Sequence, residues 1–191
     1  MQIKTIYADL PTLETKRMLL RKIKPGDKRD IFEYASDVEL TRYTVWYSHR
    51  SFAETQAFID AVLAQYRRHD IAPWGIVDKA TGKLIGTAGF ISWDAVNAKA
   101  EIGYALSRSY WNKGYMTEAV ERIVSFGFEH MRLVRIEARC HPANIGSARV
   151  MEKCGMQFEG ILRKHILAKG VHEDVKMYAV IREREVDNAQ G

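Results

Sequence analysis

The stretch from Glu101 to His130, EIGYALSRSYWNKGYMTEAVERIVSFGFEH, leaves the rest of the chain few ways to fold. It begins as a strand, with Ile102, Tyr104 and Leu106 on one face and Glu101, Gly103 and Ala105 on the other. A polar loop from Ser107 to Gly114 follows. Apolar positions Met116, Val120, Ile123, Val124, Gly127 and Met131 then recur at the three- and four-residue spacing of a helix. A strand that turns through a glycine directly into a helix presents an anion-binding end. The first amide N–H groups lack intrahelical acceptors, and the macrodipole favours negative charge there. Gly114 lets the backbone approach a ligand, Lys113 adds a cation, and Thr117 sets a hydroxyl at the helix start. The turn therefore reads as a phosphate site, with a plain helix cap beside a basic loop as the alternative. It has neither GxxxxGK[ST] nor a GxGxxG after a strand, which removes the P-loop and Rossmann readings.

The segments on either side supply a sheet and helices to bury this unit. Residues 1–13 show little periodicity and read as a lead-in. Arg17 to Ile23 suits a first strand, stopped by Pro25-Gly26-Asp27, and Asp27 can cap a helix that turns Ile31, Phe32 and Ala35 inward. A loop rich in aromatics spans Val38 to Ser51. Ser51 with Glu54 forms a capping box for a second helix, whose buried side is expected at Phe52, Ala57, Phe58, Ala61, Val62 and Tyr66. Trp74 to Val77 and Lys83 to Trp93 read as strands flanking a turn at 78–82. After the central helix, Leu133 to Cys140 alternates through Val134, Ile136 and Ala138. His141-Pro142-Ala143 breaks it, and Asn144 to Cys154 forms a short helix stopped at Gly155. Met156 to Leu167 and Val171 to Arg182 close the chain as a hairpin around Lys169-Gly170. The expected class is α/β: a single domain over 1–191, core about 14–183, with a mixed sheet flanked by helices.

Composition narrows the function. The 191 residues, 47% hydrophobic and 28% charged, are enough for one globular core. The lack of a long apolar run or an apolar signal core points to a cytoplasmic protein with no membrane partner. Cys140 and Cys154 form no CxxC, and the six histidines show no HExxH or zinc-ribbon spacing, so neither a disulfide framework nor a metal is expected. The net charge of +5 is dispersed and no basic run is interleaved with aromatics, which argues against nucleic acid. Such a field would help gather a polyanionic cofactor or an acidic protein, or serve only solubility. Monomer and homodimer both remain open.

Trp111-Asn112-Lys113-Gly114-Tyr115-Met116 resembles the acyl-CoA-binding motif Q/R-x-x-G-x-G/A of the GNAT N-acetyltransferases. It matches at the central glycine and departs at Trp111 and Met116. The wider strings EIGY…YWNKGYMTEA and LETKRMLLRKIKPGDKRDIFEYASD look closer to the branch that acetylates ribosomal-protein N-termini, in which a tryptophan at the first motif position is common. Residues 144–156, N-x-x-S-x-x-x-x-E-K-x-G-M, are similar to the N-x-x-S…K-x-G-F motif of the same branch, with Met156 in place of phenylalanine. The resemblance covers nearly the whole chain. It implies the GNAT fold, whose fourth and fifth strands splay apart to admit a pantetheine arm, and acetyl-CoA as co-substrate. The implied reaction moves an acetyl group to a primary amine, foremost a protein N-terminal α-amine of ribosomal-protein type, by direct transfer in a ternary complex. Alternatives are a small-molecule amine (polyamine, amino acid or antibiotic) or a non-catalytic acyl-CoA-binding sensor.

Such a transfer needs a neutral amine, a polarised carbonyl, and a proton or hydrogen bond for the departing thiolate. Glu101, on the strand face it shares with small Gly103 and Ala105, is the candidate base through a water, or else an ordinary strand-edge carboxylate. Ser147 is the candidate donor to the sulfur, because Met151 stands where many relatives carry a tyrosine; a helix serine bonding its own backbone is the alternative. Asn144 would bind the pantetheine amides while capping its helix. The resemblance places an oxyanion-binding amide near Leu106. It extends the cofactor side through Tyr104, Asn112, Lys113, Gly114, Tyr115, Met116 and Thr117. Lys153 or Arg149 would meet the 3′-phosphate, or face water. Tyr43, Trp46, Tyr47 and Trp93 are the candidates for acceptor binding, with a place in the core as the alternative. Both cysteines read as inert buried thiols.

Overall fold

The computed structural model describes residues 3–182; residues 1–2 and 183–191 of the expected 1–191 span lie outside the described residues. The chain opens with α1 (Ile3–Tyr7), β1 (Leu13–Glu14) and β2 (Met18–Arg21). After a 3-10 turn at Pro25–Asp27 come α2 (Lys28–Ala35), α3 (Val38–Thr41) and α4 (Phe52–Arg68). Then follow β3 (Trp74–Asp78), β4 (Leu84–Asp94), β5 (Lys99–Leu106), α5 (Tyr115–Glu129), β6 (Arg135–Cys140), α6 (Ile145–Lys153), β7 (Gln157–Ala168) and β8 (Val171–Ile181). The strands form one eight-stranded sheet in the order β1-β2-β3-β4-β5-β6-β8-β7. Among the described residues, neighbours are antiparallel except β5 and β6, which run parallel. A parallel pair needs a crossover, and α5 is that crossover. The mixed sheet with flanking helices is the expected class.

Alternation along the strands puts helices on both faces. Leu20 and Ile76 pack in the cluster that holds α5, while their neighbours Leu19 and Val77 pack in the cluster that holds α2 and α4. The central helix buries Met116, Val120, Ile123 and Gly127 as its spacing predicts, and adds Ala119 and Phe126. β3 is buried at every position, as befits an interior strand covered on both sides.

Several local expectations are corrected. The lead-in is not structureless: α1 precedes β1, and Tyr7, Leu10 and Leu13 are buried, so the core starts before residue 14. Five residues are too few to show a helical period, but the Trp74 indole donates to the Pro11 carbonyl at 2.7 Å and ties the segment down. Asp27 does not cap α2 through its side chain, because its carboxylate is taken by the Arg21 guanidinium at 2.7 and 2.8 Å and the Lys24 amide at 2.7 Å. The aromatic loop contains α3, capped by Asp37. Ser51 caps α4, but Glu54 reaches the Arg50 amide rather than that of Ser51. The buried stripe of α4 is Thr55, Ile59 and Val62. Phe52, Ala57 and Ala61 face outward, and Phe52 stacks on Phe32 at 4.4 Å. In β6 the inward set is Ile136, Ala138 and Cys140, leaving Val134 exposed before the strand begins.

The feature that positions the site is where the parallel pairing stops. β5 and β6 pair from Lys99–Arg135 to Ile102–Ala138. Beyond that, Gly103 to Leu106 remain paired with β4 alone, and Arg139–Cys140 with β8 alone. The two strands therefore diverge, and the sheet opens between them.

Candidate active site

One side of the opening is built around the start of α5. Asn112 and Gly114 take left-handed backbone angles, φ 58° and 76°, and bring the chain from the end of β5 sharply into the helix. The Trp111 indole N–H anchors this turn on the Leu106 carbonyl at 2.7 Å. Lys113 Nζ lies 2.7 Å from the Ser109 carbonyl. Gly114 occupies the N-cap and no side chain caps the helix. The amides of Tyr115, Met116 and Thr117 are thus left for a ligand at the positive end of the dipole. Met116 offers only its amide, since its side chain is in the core.

Arg17, not among the candidate site residues, braces this turn. Its Nη1 donates to the Lys113 carbonyl at 2.8 Å, and its Nε and backbone N–H hold the Glu118 carboxylate at 2.6 and 2.8 Å. Its guanidinium lies 4.1 Å from the centre of the Tyr115 ring. Nothing local in the sequence signals this, because the partners stand about a hundred positions apart.

Between the diverging strands lies a cleft of about 770 Å³ whose walls include Glu101, Tyr104, Asn144, Ser147, Tyr43 and Trp46. Six residues separated in sequence by as many as 104 positions (43 to 147) thus share one cavity. Glu101 is 8% exposed, and its Oε1 accepts no hydrogen bond. Arg139 Nε is 3.0 Å from that oxygen, an ion-pair distance whose N–H is not aligned for a hydrogen bond. Burial raises the Glu101 carboxyl above its ordinary range, Arg139 opposes the rise, and Glu137, its cross-strand partner, adds to it.

Opposite, Asn144 Oδ1 accepts the Ser147 amide at 3.1 Å and so caps α6. Tyr104 Oη lies 2.9 Å from Ser147 Oγ and 3.1 Å from the Ser147 carbonyl. Met151 is wholly buried, so the position that carries a tyrosine in many relatives here fills core. Cys140 also lines the cleft, but burial pushes its thiol up to about 11, and that of Cys154 up to about 12.

The remaining candidates fall outside the cleft walls. Leu106 and Asn112 to Thr117 form the turn just described. Lys153 is exposed near the end of α6, and Arg149 pairs on the surface with Glu152 at 2.7 Å. Trp93 packs against the core rather than the cleft. Tyr47 is exposed and gives its hydroxyl to the Lys169 carbonyl at 3.3 Å. Tyr43, which does line the cleft, stacks on His141 at 5.0 Å, so His141 joins the aromatic wall. The β7–β8 hairpin contributes Ile166 and Val175 to the same wall, and alternation alone does not reveal either.

An uncapped helix start beside a gap in a sheet fits a ligand with a phosphate head and an extended amide-bearing arm. The Acetyltransferase (GNAT) domain matches residues 17–157. The chain is similar to the uncharacterized N-acetyltransferase YoaA of Bacillus subtilis, with 35% identity over 175 residues, 92% of this chain and 99% of that protein. It is 29% identical to the ribosomal-protein-serine acetyltransferase of Escherichia coli over 99 residues, 52% of this chain and 55% of that protein. The crystal structure of a GNAT-family acetyltransferase from Bacillus anthracis superposes with a TM-score of 0.79 at 30% identity, covering 90% of this chain and 98% of the other. The match over 17–157 and the shared fold agree with the opened sheet, and the chain belongs to the GNAT acetyltransferases, acting as an acetyl-CoA-dependent N-acetyltransferase.

Proposed function

We propose that a single domain of this chain acetylates the α-amine at a protein N-terminus of ribosomal-protein type, by direct transfer within a ternary complex. The observation that carries the reading is the continuity of the cleft. It runs from Asn144 and Ser147, on the side where α6 begins, past buried Glu101 to the aromatic wall of Tyr43 and Trp46. Donor and acceptor can therefore meet in one cavity. A covalent relay through Cys140 is disfavoured, because burial keeps that thiol protonated near neutral pH. The motif strings and the partial likeness to a ribosomal-protein-serine acetyltransferase favour a protein N-terminus. A cytoplasmic setting belongs to the same reading; no helix among the described residues is long and apolar enough to cross a membrane.

Each group has a defined task. The amides of Tyr115 to Thr117, with Lys113 and Gly114, hold the pyrophosphate of acetyl-CoA. Asn144 takes the amide-bearing arm, and Lys153 is the candidate for the 3′-phosphate. Bound acetyl-CoA supplies the activated acetyl group. Glu101 takes the proton of the incoming ammonium through a water, a role its raised carboxyl suits better than an ordinary glutamate, since the useful base has a pKa nearer the working pH. Ser147 hydrogen-bonds the departing sulfur. A thiol pKa of about 8.5 makes the thiolate tolerable near neutrality, so a hydrogen bond is enough.

The test is release of free CoA thiol with a panel of amines: peptides carrying ribosomal-protein N-termini, polyamines, free amino acids and aminoglycosides. Turnover of the peptides well above the others is the expected result. A polyamine or antibiotic as the best acceptor replaces the protein substrate with a small one.

A further inference from the structure

The proposed task of Ser147 leaves open what decides the direction of its proton. A serine hydroxyl rotates freely, and in a helix it commonly turns back to its own backbone. Here three contacts converge on this one residue. Asn144 Oδ1 accepts its amide at 3.1 Å, and Tyr104 Oη stands 3.1 Å from its carbonyl and 2.9 Å from its Oγ. The phenol has one proton for two acceptors. When that proton goes to the carbonyl, the serine hydroxyl can satisfy Tyr104 only by pointing its own proton at Oη, away from the cleft. When the phenol donates to Oγ, the serine proton is released toward the cleft that both residues line.

We propose that Tyr104 is the positioning residue for Ser147, its phenolic O–H donating to Oγ in the reactive arrangement so that the serine proton faces the departing sulfur. The inference rests on the reading of Ser147 given above. Tyr104 neither gains nor loses a proton in this scheme. Burial drives its ionisation far above the ordinary tyrosine range, so it remains a neutral donor throughout the reaction. The tyrosine belongs to β5 and the serine to α6, so the hydrogen bond spans the opening where β5 and β6 part.

The experiment is a double-mutant cycle of Tyr104→Phe and Ser147→Ala, using the best amine of the panel. Phenylalanine keeps the ring in place and removes one oxygen. Ser147→Ala is expected to lower turnover by about 100-fold, the general-acid scale. Tyr104→Phe is expected to lower kcat by about 10-fold and to cost nothing further in the Ser147→Ala background. A second arm needs no reaction: urea unfolding of the free protein should show a smaller midpoint shift for Tyr104→Phe when Ser147 is already alanine. Full turnover of Tyr104→Phe, or losses that simply multiply, would overturn the inference while leaving Ser147 in its task. Equal midpoint shifts in both backgrounds overturn it independently of any acceptor. Wild-type turnover of Ser147→Ala removes the parent reading, and this inference with it.

Discussion

Glu101 shows how one side chain can be both a stability cost and the proposed base. Its carboxylate is buried, touches Arg139 at 3.0 Å without an aligned hydrogen bond, and sits beside Glu137 on the neighbouring strand. The result is a folded-state pKa above the unfolded one. For an acid shifted in this direction, the folded state binds the proton more tightly. The group's contribution to stability is then fullest at low pH and is lost as pH rises from the ordinary glutamate range, about 4.3, through the raised value. Glu101→Gln removes that dependence, so urea unfolding should show wild type losing ground to the variant across this window. In turnover the sign reverses, because only the carboxylate can act as base. The acid limb of kcat/KM should lie above the ordinary carboxylate range in wild type and be absent from Glu101→Gln, whose turnover falls by about 10²-fold or more. A variant that keeps both the limb and the rate would leave the base elsewhere.

Among the elements, the turn into α5 and the β7–β8 hairpin were legible in the sequence to different degrees. The turn was readable because its chemistry is local: a strand period, a glycine and a helix period in succession. Its brace was not, since Arg17 reaches it from the bend between β1 and β2, about a hundred positions away. Gly114→Asp separates the ligand site from the helix. The aspartate charge favours the helix dipole and its Cβ would stand 3.5 Å from the Arg17 guanidinium, which offsets roughly 1 kcal/mol of strain at φ 76°. Stability should thus change little, while acetyl-CoA affinity by calorimetry falls by at least about tenfold, equivalent to about 1.4 kcal/mol, as the new charge meets the pyrophosphate. Unchanged affinity would detach the phosphates from this turn. The hairpin was legible only as a hairpin. Its tip reaches the aromatic loop through Lys169, whose Nζ lies 2.5 Å from the Thr41 carbonyl and whose own carbonyl accepts the Tyr47 hydroxyl. Tyr47 therefore fastens the aromatic loop rather than lining the cleft. A hydrogen bond of this kind is worth about 0.5–1.5 kcal/mol, so Lys169→Ala should speed amide exchange in residues 41–49 by about 2- to 10-fold without altering acetyl-CoA affinity. Equal exchange in both proteins would show that the tip does not hold the loop.

At the scale of the molecule, periodicity announced most of the strands and helices, though not α1, β1 or α3, and it did not announce the parting of β5 and β6, which only the family resemblance implied, because divergence is the end of a pairing between two segments about thirty residues apart. The periods likewise mark which residues turn inward without saying how closely two elements approach. Gly127 illustrates the difference. It satisfies the helical spacing of α5, yet its reason is contact: a Cβ there would stand 2.8 Å from Ile136 Cδ1 and 3.0 Å from Phe90 Cζ, so the helix lies close against the sheet. Gly127→Ala sets a helix-propensity gain of about 1 kcal/mol against that crowding and should be nearly neutral. Gly127→Val adds two more methyl groups with no free space and should destabilise by about 1–3 kcal/mol in urea. Because the same helix carries at its other end the amides proposed to hold the phosphates, displacing it must also move them. Acetyl-CoA affinity should therefore fall together with stability in Gly127→Val, whereas Gly114→Asp lowers affinity alone. If Gly127→Val loses stability but binds acetyl-CoA as wild type does, the core under α5 and the turn at its start are mechanically independent, and the rigid link between packing and ligand placement is wrong.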